Sequence, residues 1–178
     1  MMNKEIRHFL LKGVGIYVVW FVLYELWLLP QGHVDEWLSL NILSMSGGLL
    51  QVFGHEVHIF GRVISIGASR GIELVNGCNG LEAIGLFLGF VLAFPGQLTK
   101  RLIFLTIGIL VIYIINIFRI VVLAVTQVYY PDLFDITHDY STTTIFYVAI
   151  MALWMIWANY GGDISALRGN QPAAEPAS

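Results

Sequence analysis

Residues 102–127 read LIFLTIGILVIYIINIFRIVVLAVTQ, with Arg119 as the one charged side chain. A spanning helix needs about 20 mostly apolar residues, so this run is a membrane helix and sets the fold class. The rest of the 178-residue chain agrees: 57% of it is hydrophobic and 12% charged, against about 25% charged in soluble domains. Three further runs qualify, at about 13–30 (GVGIYVVWFVLYELWLLP), 79–95 (NGLEAIGLFLGFVLAFP) and 140–160 (YSTTTIFYVAIMALWMIWANY). The first is too long for a secretory signal, and LLPQGH offers no small-residue cleavage site. The expected fold is an all-α integral membrane protein with about four transmembrane helices. No internal repeat is visible. A net charge of −3 gives no sign of nucleic-acid binding.

Orientation follows from the basic residues. Lys4, Arg7 and Lys12 precede the first span, Lys100 and Arg101 lie between the second and third, and Arg168 follows the fourth. Cytoplasmic loops carry the excess of Lys and Arg, so both termini are expected in the cytoplasm. Segments 31–78 and about 128–139 then lie outside; Arg62 and Arg70 in the first run against the rule, whereas YYPDLFDITHD in the second has no Lys or Arg. Within 31–78, residues 34–54 carry apolar side chains at helical spacing and suit a fifth helix, interfacial or re-entrant. EVHIF, RVISI and GIELV follow as short strand-like runs separated by Gly61 and by Gly67–Gly71, which fits a small β-hairpin or three-stranded flap. Residues 1–165 read as one membrane-embedded domain, and the Pro/Ala-rich 166–178 as a disordered cytoplasmic tail.

Cys78 is the only cysteine and stands in NGCNGLEA, residues 76–83. A lone thiol excludes an internal disulfide and any multi-cysteine zinc site. Gly77 and Gly80 allow a tight turn into the helix that follows. Glu82 shares a helix face with Cys78, one turn deeper. At 1.5 Å per residue, Arg119 lies about 27 Å from Arg101, close to the outer edge of a core about 30 Å thick. Asn116 shares its face, and His138 directly precedes the fourth span. Thiol, guanidinium and imidazole thus come from three spans to one membrane level, which suits a nucleophile with its base and an oxyanion partner. Glu25, Glu82 and Arg119 are ionisable groups inside spans, where such groups are usually functional.

These residue types also fit plainer roles. Arg119 suits a structural pairing with Glu25 or Glu82. His138 beside Asp139 suits a solvated helix start, and Asp139 or Asp135 also suits orienting the imidazole. Asn116 fits as a support for Arg119, and Asn79 as a helix cap or a contact to a bound peptide. GHEVH at 54–58 is not the H-E-x-x-H that sets two histidines on one helix face, so His55 and His58 read as strand surface residues.

NGCNGLEA entering a helix, NIFRI in the next span and a His before the last one together resemble the exosortase/archaeosortase family of prokaryotic membranes. The resemblance covers about residues 70–150. It implies a cysteine transpeptidase or protease, with Cys78 as nucleophile, Arg119 stabilising the oxyanion or holding substrate, and His138 as general acid/base. Asn116, Glu82, Asn79 and Asp139 would support them. The implied substrates are exported proteins with a C-terminal motif, a transmembrane helix and a basic tail. The acyl-enzyme would pass to a lipid-linked or surface acceptor. The implied location is the cytoplasmic (inner) membrane, with the site facing outside, and no cofactor or metal. This chain is shorter than larger members and reads GCNG where many have Ser after the Cys. The competing function is a small multispanning transporter or solute-binding membrane subunit. Its polar path should reach both membrane faces, yet the inner halves of the spans carry no charged residue.

Overall fold

The computed structural model describes residues 4–140 and 144–162, apart from the side chains of Glu5 and Asp139. The expected tail at 166–178 and residues 141–143 lie outside the described residues. Helix α1 (Lys4–Leu23) continues through a π-helical turn (Tyr24–Leu28) into the short α2 (Leu29–Gln31). Pro30 explains the widened turn, because its ring clashes with the carbonyl four residues back and it donates no hydrogen bond. Gly32, at φ 69°, then breaks the chain away into α3 (His33–Val52).

Three antiparallel strands follow in the order β1 (Val57–Phe60), β2 (Val63–Ile66), β3 (Ile72–Glu73). Phe60 pairs with Val63 across the first turn, and Ile64 pairs with Ile72 in the second ladder. Alternate β2 residues Ile64 and Ile66 are buried, as the period of two dictates for a sheet with one covered face. Helices α4 (Leu81–Ala93), α5 (Leu98–Tyr129), α6 (Pro131–Tyr140) and α7 (Phe146–Ile156) complete the chain, with a π-helical turn (Trp157–Gly161) extending α7.

Two apolar clusters hold these elements. One joins α3, the sheet and the C-terminal half of α5 through Ile42, Leu43, Leu50, Ile64, Leu74 and Leu123. Burying side chains such as Ile64 and Leu74 is worth about 1.5–3 kcal/mol each relative to water. The other joins α4, α5 and α7 through Phe87, Val91, Ile112, Leu153 and Trp157. Hydrophobic force is weak between helices in lipid, so close approach matters there. A Cβ on Gly85 would fall 2.1 Å from the Trp20 ring, and one on Gly108 would fall 2.1 Å from Phe87. At the α4–α5 turn Arg101 donates to the carbonyls of Phe94 (3.1 Å) and Gly96 (3.2 Å), satisfying acceptors at a helix C-terminus.

The expected helical membrane fold with a small three-stranded flap is present. Ile6–Gln31 and Leu98–Tyr129 are long and apolar enough to cross a membrane, whereas Leu81–Ala93 and Phe146–Gly161 are apolar but shorter. The window in α5 is 39% buried and that in the first helix 6%, so α5 is the central post and α1 a peripheral one. The fifth helix expected at 34–54 is present as α3, packed on α5, where Ser46 Oγ donates to the Ile117 carbonyl at 3.2 Å. The segment at 128–139, read as the connection ahead of the last span, is mostly the helix α6, packed on α5. Its start suits a helix, with Pro131 at the first position and Asp132 in the first turn, where a missing N–H costs nothing and a negative charge is favoured.

Candidate active site

Cys78 sits in the turn between β3 and α4, and its N–H donates to the Val75 carbonyl at 3.1 Å. Gly77 and Gly80 flank the turn at φ 81° and 82°, left-handed values that L-residues adopt only at a cost. Cys78 stands three residues before α4 begins at Leu81.

Helix α5 brings up the partners. Arg119 Nη1 donates to the Cys78 carbonyl at 2.8 Å and to Asn116 Oδ1 at 3.4 Å. Asn116 Nδ2 reaches the same carbonyl at 3.5 Å. Asn116 is wholly buried and Arg119 is 4% exposed, whereas Cys78 is half-buried. Residues 116 and 119 share a face because they are three apart on one helix. A buried, hydrogen-bonded cation beside a thiol can hold charge that develops on a neighbouring oxygen.

These groups open onto a cavity of about 580 Å³ between α1, α4 and α7. Cys78, Arg119, Glu82, Glu25 and Tyr24 line its polar part, and aromatic and aliphatic side chains from Phe9 to Trp154 line the rest. Glu82 is exposed and its Oε1 lies beside Gly77, 3.1 Å from where a Cβ would stand. The expected Arg119 pairing with Glu25 or Glu82 is not among the ion pairs of the described residues, where Glu56 and His58 make one at 3.5 Å. Arg119 instead serves the Cys78 carbonyl.

Asn79 is 2% exposed. Its Oδ1 accepts from the Leu81 N–H at 3.1 Å, and its Nδ2 donates to Asp35 Oδ1 at 2.8 Å and to the Asp35 carbonyl at 3.3 Å. Asn76 Oδ1 accepts from Arg62 Nη1, and Arg62 Nη2 donates to Ser39 Oγ at 2.9 Å. Asn79 is thus held in the turn by a buried Asp35 that the sequence reading did not single out. Tyr24 and Arg62 were missed as well. Asp35 reads as an ordinary acid in the first turn of a helix, and only packing reveals it as buried.

His138 occupies the last turn of α6 rather than the start of the last span, and it is exposed. Its ring is 6.0 Å from that of Phe134, and Phe134 packs on the same apolar cluster as Cys78. His138 is not among the residues lining the cavity. The Asp139 side chain is outside the described residues. His55 lies 5.9 Å from the Tyr129 ring and His58 beside Glu56. Among the described residues no His/Cys/Asp/Glu group is suited to a metal.

Apolar helices, with a thiol and a buried guanidinium lining one cavity, define a helical membrane protein with a candidate reactive site. The model of the transmembrane exosortase family matches residues 5–155, and the chain belongs to that family. At family level this makes it a membrane-embedded sorting transpeptidase, whose substrates are exported proteins with C-terminal sorting signals. No curated protein and no solved structure matches the chain.

Proposed function

We propose that the protein cuts the C-terminal sorting tail from exported proteins at the outer face of the cytoplasmic membrane. The thiolate of Cys78 attacks the scissile carbonyl, and Arg119 holds the oxyanion that forms. The C–N bond breaks, the leaving amine takes a proton, and the carboxyl side remains on sulfur as a thioester. An acceptor amine, or water, then attacks the thioester and returns the thiol. His138, in the last turn of α6, supplies and removes the protons. The acceptor is a lipid-linked or surface component. The outer location is supported by the distribution of Lys and Arg, which favours the cytoplasm for both termini.

The observation that carries this reading is the buried Arg119, hydrogen-bonded to the Cys78 carbonyl and lining the same cavity as Cys78. A guanidinium fixed beforehand needs no reorganisation when charge develops beside the sulfur. The test is co-expression with a substrate bearing a motif, a transmembrane helix and a basic tail. Wild type shortens the substrate on a gel, and Cys78→Ala leaves it full length while still inserting. Processing by the alanine variant at the wild-type rate would exclude Cys78 as nucleophile.

A further inference from the structure

We propose that Asp35 is a positioning residue that, through Asn79, fixes the turn carrying Cys78. The catalytic part of this proposal rests on the function proposed above; the structural part does not.

Asp35 lies in the first turn of α3 and is wholly buried. A buried carboxylate is expensive unless it is hydrogen-bonded. Its Oδ1 accepts from Asn79 Nδ2 at 2.8 Å and from the Tyr24 hydroxyl at 3.3 Å. Its Oδ2 is buried without a hydrogen-bond partner among the described residues. Its Oδ1 is the oxygen that engages neighbouring groups.

What it holds is the residue next to the thiol. The Asn79 amide is locked end to end, its oxygen on the Leu81 N–H and its nitrogen on Asp35. On the other side, the Cys78 carbonyl is gripped by Arg119 and Asn116. The peptide unit between residues 78 and 79 is therefore clamped from α5 and from α3. Both clamps are required by the glycines, because Gly77 and Gly80 leave the turn soft at each end. A single grip on the carbonyl would let the unit rotate and swing the sulfur. Asp35 also ties in Tyr24, which lines the cavity and stacks on Trp20 at 5.7 Å. The wall of the cavity and the nucleophile turn thus share one anchor.

The test is a mutant cycle on the full-length protein in detergent, with Asp35→Ala, Asp35→Asn, Asn79→Ala and the double alanine variant. Cys78 is the only thiol, so the rate of maleimide labelling reports on it alone. Asp35→Ala and Asn79→Ala should each change that rate by about 10-fold or more, and lower kcat for tail release about 10–100-fold with KM within about 3-fold. The double variant should be no worse than the poorer single one, because both act along one path. Asp35→Asn keeps an oxygen for Asn79 in the same volume and should recover most of the loss. If Asp35→Ala does not fold, Asp35→Asn and Asn79→Ala complete the cycle. Additive losses, or wild-type labelling and turnover per folded molecule in either alanine variant, would overturn the proposal. A wild-type protein that labels normally but releases no tail would refute the peptidase reading and leave the labelling cycle to judge Asp35.

Discussion

Replacing Arg119 by alanine tests the core of the site. The side chain is 4% exposed and donates at 2.8 Å to the Cys78 carbonyl. Its loss leaves that carbonyl, among the described residues, with the 3.5 Å contact from Asn116. A hydrogen bond from a charged group is worth about 1.5–3 kcal/mol, so stability should fall by roughly that amount. If the guanidinium also holds the oxyanion, the loss of one such donor costs a further 10²–10³ in kcat, about 2.7–4 kcal/mol. Arg119→Lys keeps the charge but gives up the rigid placement of Nη1 between the Cys78 carbonyl and Asn116 Oδ1, and should lose about 10-fold or more. The assay is tail release by purified protein in liposomes, normalised to the folded fraction from thermal unfolding. Arg119→Ala turning over within about 3-fold of wild type, per folded molecule, would refute the oxyanion role. A fall in stability with unchanged kcat would reduce Arg119 to a structural cation.

His138 is exposed, so His138→Ala should fold with an unchanged Tm. Its kcat should drop about 10²–10⁴-fold if the imidazole moves the protons; unchanged turnover would remove it from the mechanism. Gly80→Ala forces an L-residue to φ 82° and sets a Cβ 3.3 Å from Asn116 Nδ2. It should cost about 1–2 kcal/mol in thermal unfolding and slow maleimide labelling or turnover; a variant indistinguishable from wild type would show that the turn adapts.

The candidate site was partly visible in the residue order. Cys78, Arg119 and Asn116 were marked by local signals: a lone thiol between glycines, and polar side chains inside an apolar helix. These survive without tertiary knowledge because a polar group in a spanning run is costly wherever the run packs. His138 was expected at the start of the last span, but Pro131 begins a separate helix and carries His138 to its far end. Acids and a proline after a long apolar run read equally well as a loop, and only packing of α6 on α5 decides between them.

Membrane class, the apolar helices and the small flap were determined by the sequence alone, because hydropathy and side-chain period are properties of neighbouring residues. Which α3 face meets α5, where the cavity opens, and the burial of Asp35 against Asn79 were decided by tertiary structure. Asp35 and Asn79 are 44 residues apart. A carboxylate in the first turn of a helix looks the same in sequence whether water or an asparagine amide satisfies it. Its role depends on which surfaces meet when the helices pack.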